Sequence, residues 1–276
     1  MNALLIFDIG MHKGEDTAFY LSKGYQVVAV DADPNLINAA KEKFQPAHEE
    51  GRLRLENLAI SENAGEVDFY LSAKSIWNSL NSKIADRLDS SKEVIKVKTN
   101  TLKSLFEKYG VPDYCKIDIE GYDIVALRSL DKDNLPKYIS VESECLGESD
   151  ELLENEVLAT LNQMHALGYK KFKLVDQQTL KPLTLGKEFY NGKKEIHIVE
   201  RLRHKFKFTY RHRLGAKHDY NFPYGATGPF GEDIDGKWYN FDDAQKLMLT
   251  HRKQFFETNV NGYSFSFWCD WHAKID

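Results

Sequence analysis

Cysteine is scarce in this chain: Cys115, Cys145 and Cys269 are the only 3 among 276 residues. They are widely spaced and form no C-x-x-C pair, which argues against both a disulfide framework and a zinc site. Long apolar runs are also missing. No stretch approaches the ~20 residues that a membrane span requires, so none is expected. Positive charge is not in excess, since 37 Lys and Arg face 42 Asp and Glu for a net charge of -5. That balance removes the global electrostatic argument for nucleic acid or a membrane surface as partner. Residues 1–9 carry no charged leader and no cleavage site, and the expectation is a reducing, cytoplasmic setting. Internal repeats and low-complexity linkers are lacking as well. What is left, 42% hydrophobic and 29% charged, is ordinary globular composition, long enough for one full α/β domain plus an appendage.

The most informative segment runs from Ala3 to Thr17. The apolar residues Leu4-Leu5-Ile6-Phe7 lead into Asp8, and Gly10 and Gly14 follow four residues apart. This reads as a buried strand, a tight turn and a helix start. The two glycines put no side chain between the turn and a ligand at the carboxyl end of the strand. A second run, Gln26-Val27-Val28-Ala29-Val30, ends in Asp31, about where a nucleotide fold places the acid that holds ribose hydroxyls. A dinucleotide site wants G-x-G-x-x-G, but the third glycine is missing here, and Asp8 would repel a pyrophosphate. A cationic, amino-bearing nucleoside such as S-adenosylmethionine suits the pattern better. The alternative is a plain strand-turn-helix unit whose glycines serve only the turn.

Strand-like runs at 3–8, 26–31, 53–58, 66–71, 94–98, 114–118, 138–143, 169–175 and 194–199 alternate with helical patterns at 14–23, 34–45, 101–109, 122–130 and 151–167. Such alternation predicts a doubly wound, mostly parallel α/β sheet. The polar stretch 72–93 interrupts it; Trp77 lies there, either on bland surface or in a lid over substrate.

A second site is Lys116-Ile117-Asp118-Ile119-Glu120-Gly121. The strand ends in Asp118, and Gly121 lets the chain turn into a helix. Carboxyl ends of central strands form the ligand crevice of a doubly wound sheet, so Asp8, Asp31 and Asp118 are expected to converge there, with Glu142 bordering it from the next strand. Lys116 and Asp118 are two apart in a strand and face the same side, which allows an ion pair. That pair is either structural or part of a catalytic group.

Asp8-Ile9-Gly10 with Gly14, Val30-Asp31 before Asp33-Pro34, Asn57-Leu58-Ala59-Ile60 with Gly65, the Lys116–Gly121 block and Val141-Glu142 occur in that order. Together they resemble the FkbM-type family of S-adenosylmethionine-dependent methyltransferases over roughly residues 3–200. The resemblance implies a seven-stranded Rossmann-like methyltransferase sheet and O-methylation of hydroxyls on sugars, glycans or related metabolites. It also implies that Asp8, Gly10 and Gly14 surround the methionine part, Asp31 the ribose, and Ala59 and Ile60 the adenine. Lys116, Asp118 and Glu120 then face the methyl group and acceptor. Asp118 and Glu120 are candidate bases, with His12 third, because a hydroxyl must lose its proton as it attacks. A divalent metal on the same carboxylates is an alternative, although no dedicated ligand spacing points to one. Met11-His12 departs from the family pattern, in which a small residue and Asn are frequent, and Asp31 stands where Glu is common.

The segment 201–276 departs in composition and is expected to be an extension that shapes the acceptor site, following a methyltransferase domain at 1–200. Its basic run 201–213 is interleaved with aromatics, a pattern that can bind phosphate-bearing or nucleic-acid ligands and equally fits an edge or amphipathic strand, the reading the acidic whole favours, and a helix is expected at 241–256. Near its end stand Tyr263, Phe265, Phe267, Trp268 and Trp271. These rings either stack on sugars, which makes Trp268 and Trp271 substrate candidates, or glue the extension to the domain. Two other functions remain open. One is a nicotinamide-dependent reductase on the same fold, disfavoured by the missing glycine and the lack of a Tyr-x-x-x-Lys pair near the crevice. The other is a non-catalytic carbohydrate-binding module. The partner in every reading is a small molecule or a glycan, and the oligomeric state is not legible.

Overall fold

A computed structural model describes residues 3–72, 79–80, 91–143, 153–187, 210–214, 218–258 and 267–276. The chain divides into two compact units, Met1–Ile139 and Ser140–Asp276. The fold is α/β, and its central sheet has eight strands, mostly parallel where the nucleotide-type motifs lie.

In the first unit the chain runs β1 (Leu5–Ile9), α1 (Glu15–Ser22), β2 (Gln26–Asp31), α2 (Pro34–Lys43), α3 (Gln45–Glu49) and β3 (Leu53–Asn57). It continues through β4 (Ala59–Ile60), β5 (Gly65–Ser72), β6 (Ser91–Asn100), α4 (Leu102–Tyr109), β7 (Tyr114–Ile117) and α5 (Asp123–Arg128), and β8 (Tyr138–Glu142) crosses the boundary. The first unit's share of the central sheet has the order β7-β1-β2-β3, all parallel. Ile6, Phe7 and Ile9 of β1 and Val27 to Val30 of β2 are almost completely buried, as a parallel sheet covered on both faces requires, and this is why these strands read as continuous apolar runs. Asp33 caps α2 by accepting the Asn35 N–H at 2.8 Å, with Pro34 in the first turn as expected.

The expected strands at 66–71 and 94–98 exist but lie outside the central sheet. They are β5 and β6, which pair antiparallel and with β4 form a separate three-stranded sheet. Their sequence carries the reason. Val67, Phe69 and Leu71 alternate with polar residues, Val67 opposite Val97 and Phe69 opposite Ile95 across the pair, so only one face of this sheet is apolar, and it closes on Ala32 and Ala59.

The second unit holds α6 (Glu154–Val157), α7 (Ala159–Leu167), β9 (Lys171–Asp176), β10 (Lys181–Pro182), β11 (Tyr210–Leu214), β12 (His218–Phe222), α8 (Phe241–Thr258) and β13 (Cys269–Lys274). The single helix expected over 151–167 is thus broken at Leu158 into α6 and α7. The strand order here is β10-β9-β13-β8. β13, from the far end of the chain, pairs antiparallel with β9, Trp271 opposite Leu174 and His272 opposite Lys173. The expected strand 194–199 and residues 201–209 of the basic run lie outside the described residues. Residues 210–214 form β11, antiparallel to β12 in a two-stranded sheet.

Trp271 is 0% exposed, and its ring meets Phe172 edge-on at 6.4 Å. Replacement of Trp271 by alanine is therefore expected to cost ~3–5 kcal/mol and to lower the melting temperature by roughly 10 °C. A thermal melt of Trp271→Ala within 2 °C or so of the wild type would show that this ring carries little packing energy.

Candidate functional site

β1 has β2 on one side and β7 on the other. The sheet therefore grows from β1 to β2 and β3 on one side and continues with β7 on the other, and the crevice at the carboxyl ends of β1 and β7 is the topological switch point where open α/β sheets bind ligands. Two turns meet there. In the turn after β1, the amides of Gly10 and Met11 both donate to the Val30 carbonyl at 3.0 Å, while the Asp118 amide after β7 donates to the Ile9 carbonyl at 3.0 Å. Gly10 has φ +80°, and a Cβ placed on it would lie 1.7 Å from the Asp118 carbonyl oxygen. A glycine is thus demanded at position 10 by the neighbouring turn, whatever it leaves open to a ligand. At Gly14, φ +69°, an added Cβ would strike the Phe44 ring at 2.6 Å.

Beneath these turns sits a buried charge cluster. The Lys116 ammonium lies 3.2 Å from Asp8, 3.6 Å from Asp16 and 3.6 Å from Asp118, and it donates to the Gly10 carbonyl at 3.1 Å. Asp8 also accepts the Thr17 hydroxyl at 2.6 Å. Asp8, Asp16, Thr17 and Lys116 are all buried, whereas the Asp118 side chain is 33% exposed. Burial by itself would lower the Lys116 pKa, but Asp8, Asp118 and Asp16 outweigh it and hold the ammonium well above its ordinary range. One cation faces three carboxylates, so the cluster is formally anionic. Asp8, expected beside the methionine part of the cofactor, points inward at Lys116 and Thr17.

Asp31 ends β2. One carboxylate oxygen accepts the His12 N–H and the other the Asp33 N–H, each at 2.9 Å. Burial pushes its pKa up to about 6, against the pull of those two backbone donors. The Asn57 side chain donates to the carbonyls of Asp31 and Ala32 at 3.0 Å each, fixing the backbone beyond β2. His12 itself adopts φ 53°, and its Nδ1 lies 3.3 Å from a Glu15 oxygen. Ala59 and Ile60 are buried in β4, Ala59 packing with Ala32, Phe69 and Val97.

The turn after β7 is strained at Glu120, a non-glycine residue with φ 48°. Asp123 holds it in shape by accepting the amides of Ile119 and Gly121 at 3.3 Å each, and the Ser79 hydroxyl donates to the Glu120 carbonyl at 2.8 Å. Asp118 and Glu120 each bring a carboxylate oxygen to within 4.8 Å of the other. The structure thus gathers His12, Asp31, Lys116, Asp118 and Glu120 around these turns. Sequence reasoning passed over Asp16, Thr17, Ser79 and Asp123 as site residues. The first two follow Gly14 directly, where a helix's first turn faces the strand ends, and that placement was the available signal. Ser79 reaches Glu120 from 41 residues away, and nothing local marks it.

In the second unit, Glu142 ends β8 and is buried, Trp268 precedes β13 half-buried with its ring 6.0 Å from Tyr224, and Trp271 is interior. Trp77 lies outside the described residues. Among the described residues no helix is long and apolar enough to cross a membrane.

A parallel sheet with a glycine turn after its first strand, an acid ending its second, and carboxylates at the switch point is the arrangement of the class I, Rossmann-like methyltransferases. Within that class, the methyltransferase FkbM domain matches residues 8–171, and the chain belongs to this family of S-adenosylmethionine-dependent methyltransferases. Among solved structures it is similar to a TehB-like SAM-dependent methyltransferase of Corynebacterium glutamicum, with 14% identity, TM-score 0.36, 67% of this chain and 76% of that one covered. It is also similar to phosphoethanolamine N-methyltransferase 2 of Haemonchus contortus in complex with S-adenosyl-L-methionine, with 13% identity, TM-score 0.39, 99% of this chain and 49% of that one covered. A third is a precorrin-6y C5,15-methyltransferase of Geobacter metallireducens, with 9% identity, TM-score 0.36 and coverages of 63% and 68%. No curated protein matches the chain.

Proposed function

We propose that this methyltransferase acts on a hydroxyl of a sugar, glycan or related metabolite, with the first unit holding the cofactor. The observation that carries the cofactor part is the anionic excess around Lys116, where three carboxylates meet one ammonium at the switch point. Such an excess fits a ligand bearing a sulfonium and an amine, and disfavours a pyrophosphate. When bound, S-adenosylmethionine supplies an electrophilic methyl group and leaves as the neutral thioether. The chain's own residues do the rest. Asp31 accepts ribose hydroxyls, the segment of Ala59 and Ile60 borders the adenine, and the turn held by Asp123 fixes Glu120. Asp118 or Glu120 takes the acceptor's proton, a contribution of roughly 10²–10⁴-fold for a positioned base. Holding acceptor oxygen and methyl carbon in line supplies ~7–11 kcal/mol more.

The pH dependence of cofactor binding tests this reading. In the free protein Asp31 titrates at about 6, and ribose hydroxyls donate to its ionised form. Below that pH a proton must leave before binding, so affinity for S-adenosylmethionine is expected to rise up to tenfold per unit as pH climbs from 5 towards 6, and to level off above 7. Calorimetric titrations at pH 5, 6, 7 and 8 measure it, with Asp31→Asn expected to bind weakly and without this dependence. Wild-type affinity that stays flat from pH 5 to 7 would remove Asp31 from the ribose site, and no binding of S-adenosylmethionine would overturn the cofactor reading.

A further inference from the structure

The carboxyl ends of β8 and β9 carry buried polar side chains that the described residues leave unsatisfied. Ser143, just past β8, is 1% exposed, and Gln177, just past β9, is 5% exposed; among the described residues neither the Ser143 hydroxyl nor the Gln177 Nε2 has a hydrogen-bond partner. Both residues are anchored by their backbones to the start of β13. The Ser143 amide donates to the Cys269 carbonyl and the Gln177 amide to the Trp268 carbonyl, each at 2.9 Å. Since β13 lies between β8 and β9, the two strands flank it at a separation of roughly 10 Å. That span suits one sugar ring with its hydroxyls.

The surroundings narrow the chemistry. Trp268, half-buried, is the residue whose carbonyl anchors Gln177, and its ring lies 6.0 Å from that of Tyr224. An aromatic face next to hydroxyl and amide groups matches a molecule with an apolar C–H face and a rim of hydroxyls. Glu142, Asp176 and Asp270 are buried in the same strand ends, which disfavours an anionic ligand there. A buried polar group without a partner costs stability, and a hydroxyl-rich ligand, able to donate and accept, would satisfy both Ser143 and Gln177. We infer that Ser143, Gln177 and Trp268, with Tyr224 beside them, form a subsite of the second unit for a neutral carbohydrate. This rests on the acceptor class named above and adds the residues that recognise it.

The test uses the full chain on an array of immobilised neutral mono- and oligosaccharides, with and without saturating S-adenosylhomocysteine. The wild type is expected to retain a defined set of glycans, and Ser143→Ala and Gln177→Leu to lose at least tenfold in affinity for that set. Both variants should bind S-adenosylhomocysteine within twofold of the wild type. Removing an unpartnered hydroxyl should not lower stability, so the melting temperature of ligand-free Ser143→Ala is expected to equal or exceed that of the wild type; a fall would make Ser143 structural and overturn its role. Retention of no glycan by the wild type, or unchanged retention by both variants, would overturn the subsite. Should Gln177→Leu fail to fold, Gln177→Glu, which keeps the shape but loses the amide donor, carries the same expectation. Failure of the wild type to bind S-adenosylhomocysteine would strike the cofactor reading instead, while the array without it still judges the subsite.

Discussion

Replacement of Lys116 by methionine is expected to destabilise the protein by ~3–5 kcal/mol, the cost of leaving a buried charge unpaired, and to lower the melting temperature by roughly 10 °C. The reason lies in what surrounds the ammonium. Asp8 and Asp16 are almost fully buried and Asp118 is largely so, and all three face Lys116 within 3.6 Å. Methionine fills the space of the stem but leaves these carboxylates to repel one another in a poorly solvated site. The sign of the pH effect follows. In the wild type, the raised Lys116 pKa contributes stability that is fully present below the lysine's unfolded value and is lost only as pH rises through the folded one, so neutral pH is safe. In Lys116→Met, the three carboxylates lose their counter-charge, and taking up protons relieves their mutual repulsion. Their protonated forms favour the fold, so the variant's deficit should shrink as pH falls towards 4. Urea denaturation at pH 4.5 and pH 7.5 measures this. A deficit that is the same at both would mean the loss is one of packing. The Asp8→Asn, Lys116→Met double variant should recover part of the loss, and a purely additive double variant would argue against the pairing.

Much of this cluster was legible in sequence because it is built from strand ends. Asp8, Asp31 and Asp118 each close an apolar run, and in a parallel sheet such residues sit side by side at the carboxyl edge, with Lys116 two positions before Asp118 on the same face. What the run does not tell is which way a terminal acid turns. Asp8 and Asp31 look alike in sequence, yet Asp8 points at Lys116 and Thr17 while Asp31 is held by backbone amides at the mouth. That difference comes from β7, more than 100 residues away, and from the identity of the residue at 116. Gly10 was legible as a glycine turn, but its partner, the Asp118 carbonyl, follows only once β1 and β7 are known to be neighbours.

The sheet order shows the same limit. Continuous apolar runs marked β1, β2 and β7 as buried parallel strands, and the alternation Val67, Phe69, Leu71 already carried the sign of a one-sided sheet, although only three-dimensional pairing with β6 and β4 separates it from the central one. At the far end, Cys269–Lys274 contains Asp270, His272 and Lys274 among its six residues, so its polarity hides a strand that is buried along most of its length. Its place beside β9 is fixed by pairing over a separation of some 100 residues, which no local pattern encodes. The break between α6 and α7 at Leu158 is equally silent, since Glu154 to Leu167 keeps helical spacing throughout.

Asp118→Asn is expected to lower methyl transfer by ~10²–10⁴-fold while leaving the cofactor Kd within a few fold, the signature of losing a group that acts on the acceptor's proton. Asp118 is the best placed of the acids around Lys116 to meet an acceptor, because its side chain alone among Asp8, Asp16 and Asp118 is partly exposed. Asparagine keeps the size and a carbonyl oxygen facing Lys116 but cannot accept a proton at neutral pH. Glu120 is the rival, since it brings a carboxylate oxygen to within 4.8 Å of Asp118 and sits in a strained turn that Asp123 and Ser79 hold in place. If Glu120 is the base, Glu120→Gln suffers the large loss and Asp118→Asn only a small one. If the two act as a unit, each single change costs nearly as much as both together, as groups with one shared task do. A divalent cation held by the two carboxylates predicts the same mutational pattern, and a chelator separates the cases: wild-type turnover that survives it leaves proton transfer to the carboxylates themselves, whereas turnover that collapses and returns with Mg²⁺ assigns them to a metal. Full activity in both single variants would return the pair to a structural role beneath the turn, with acceptor deprotonation left to His12 or to solvent.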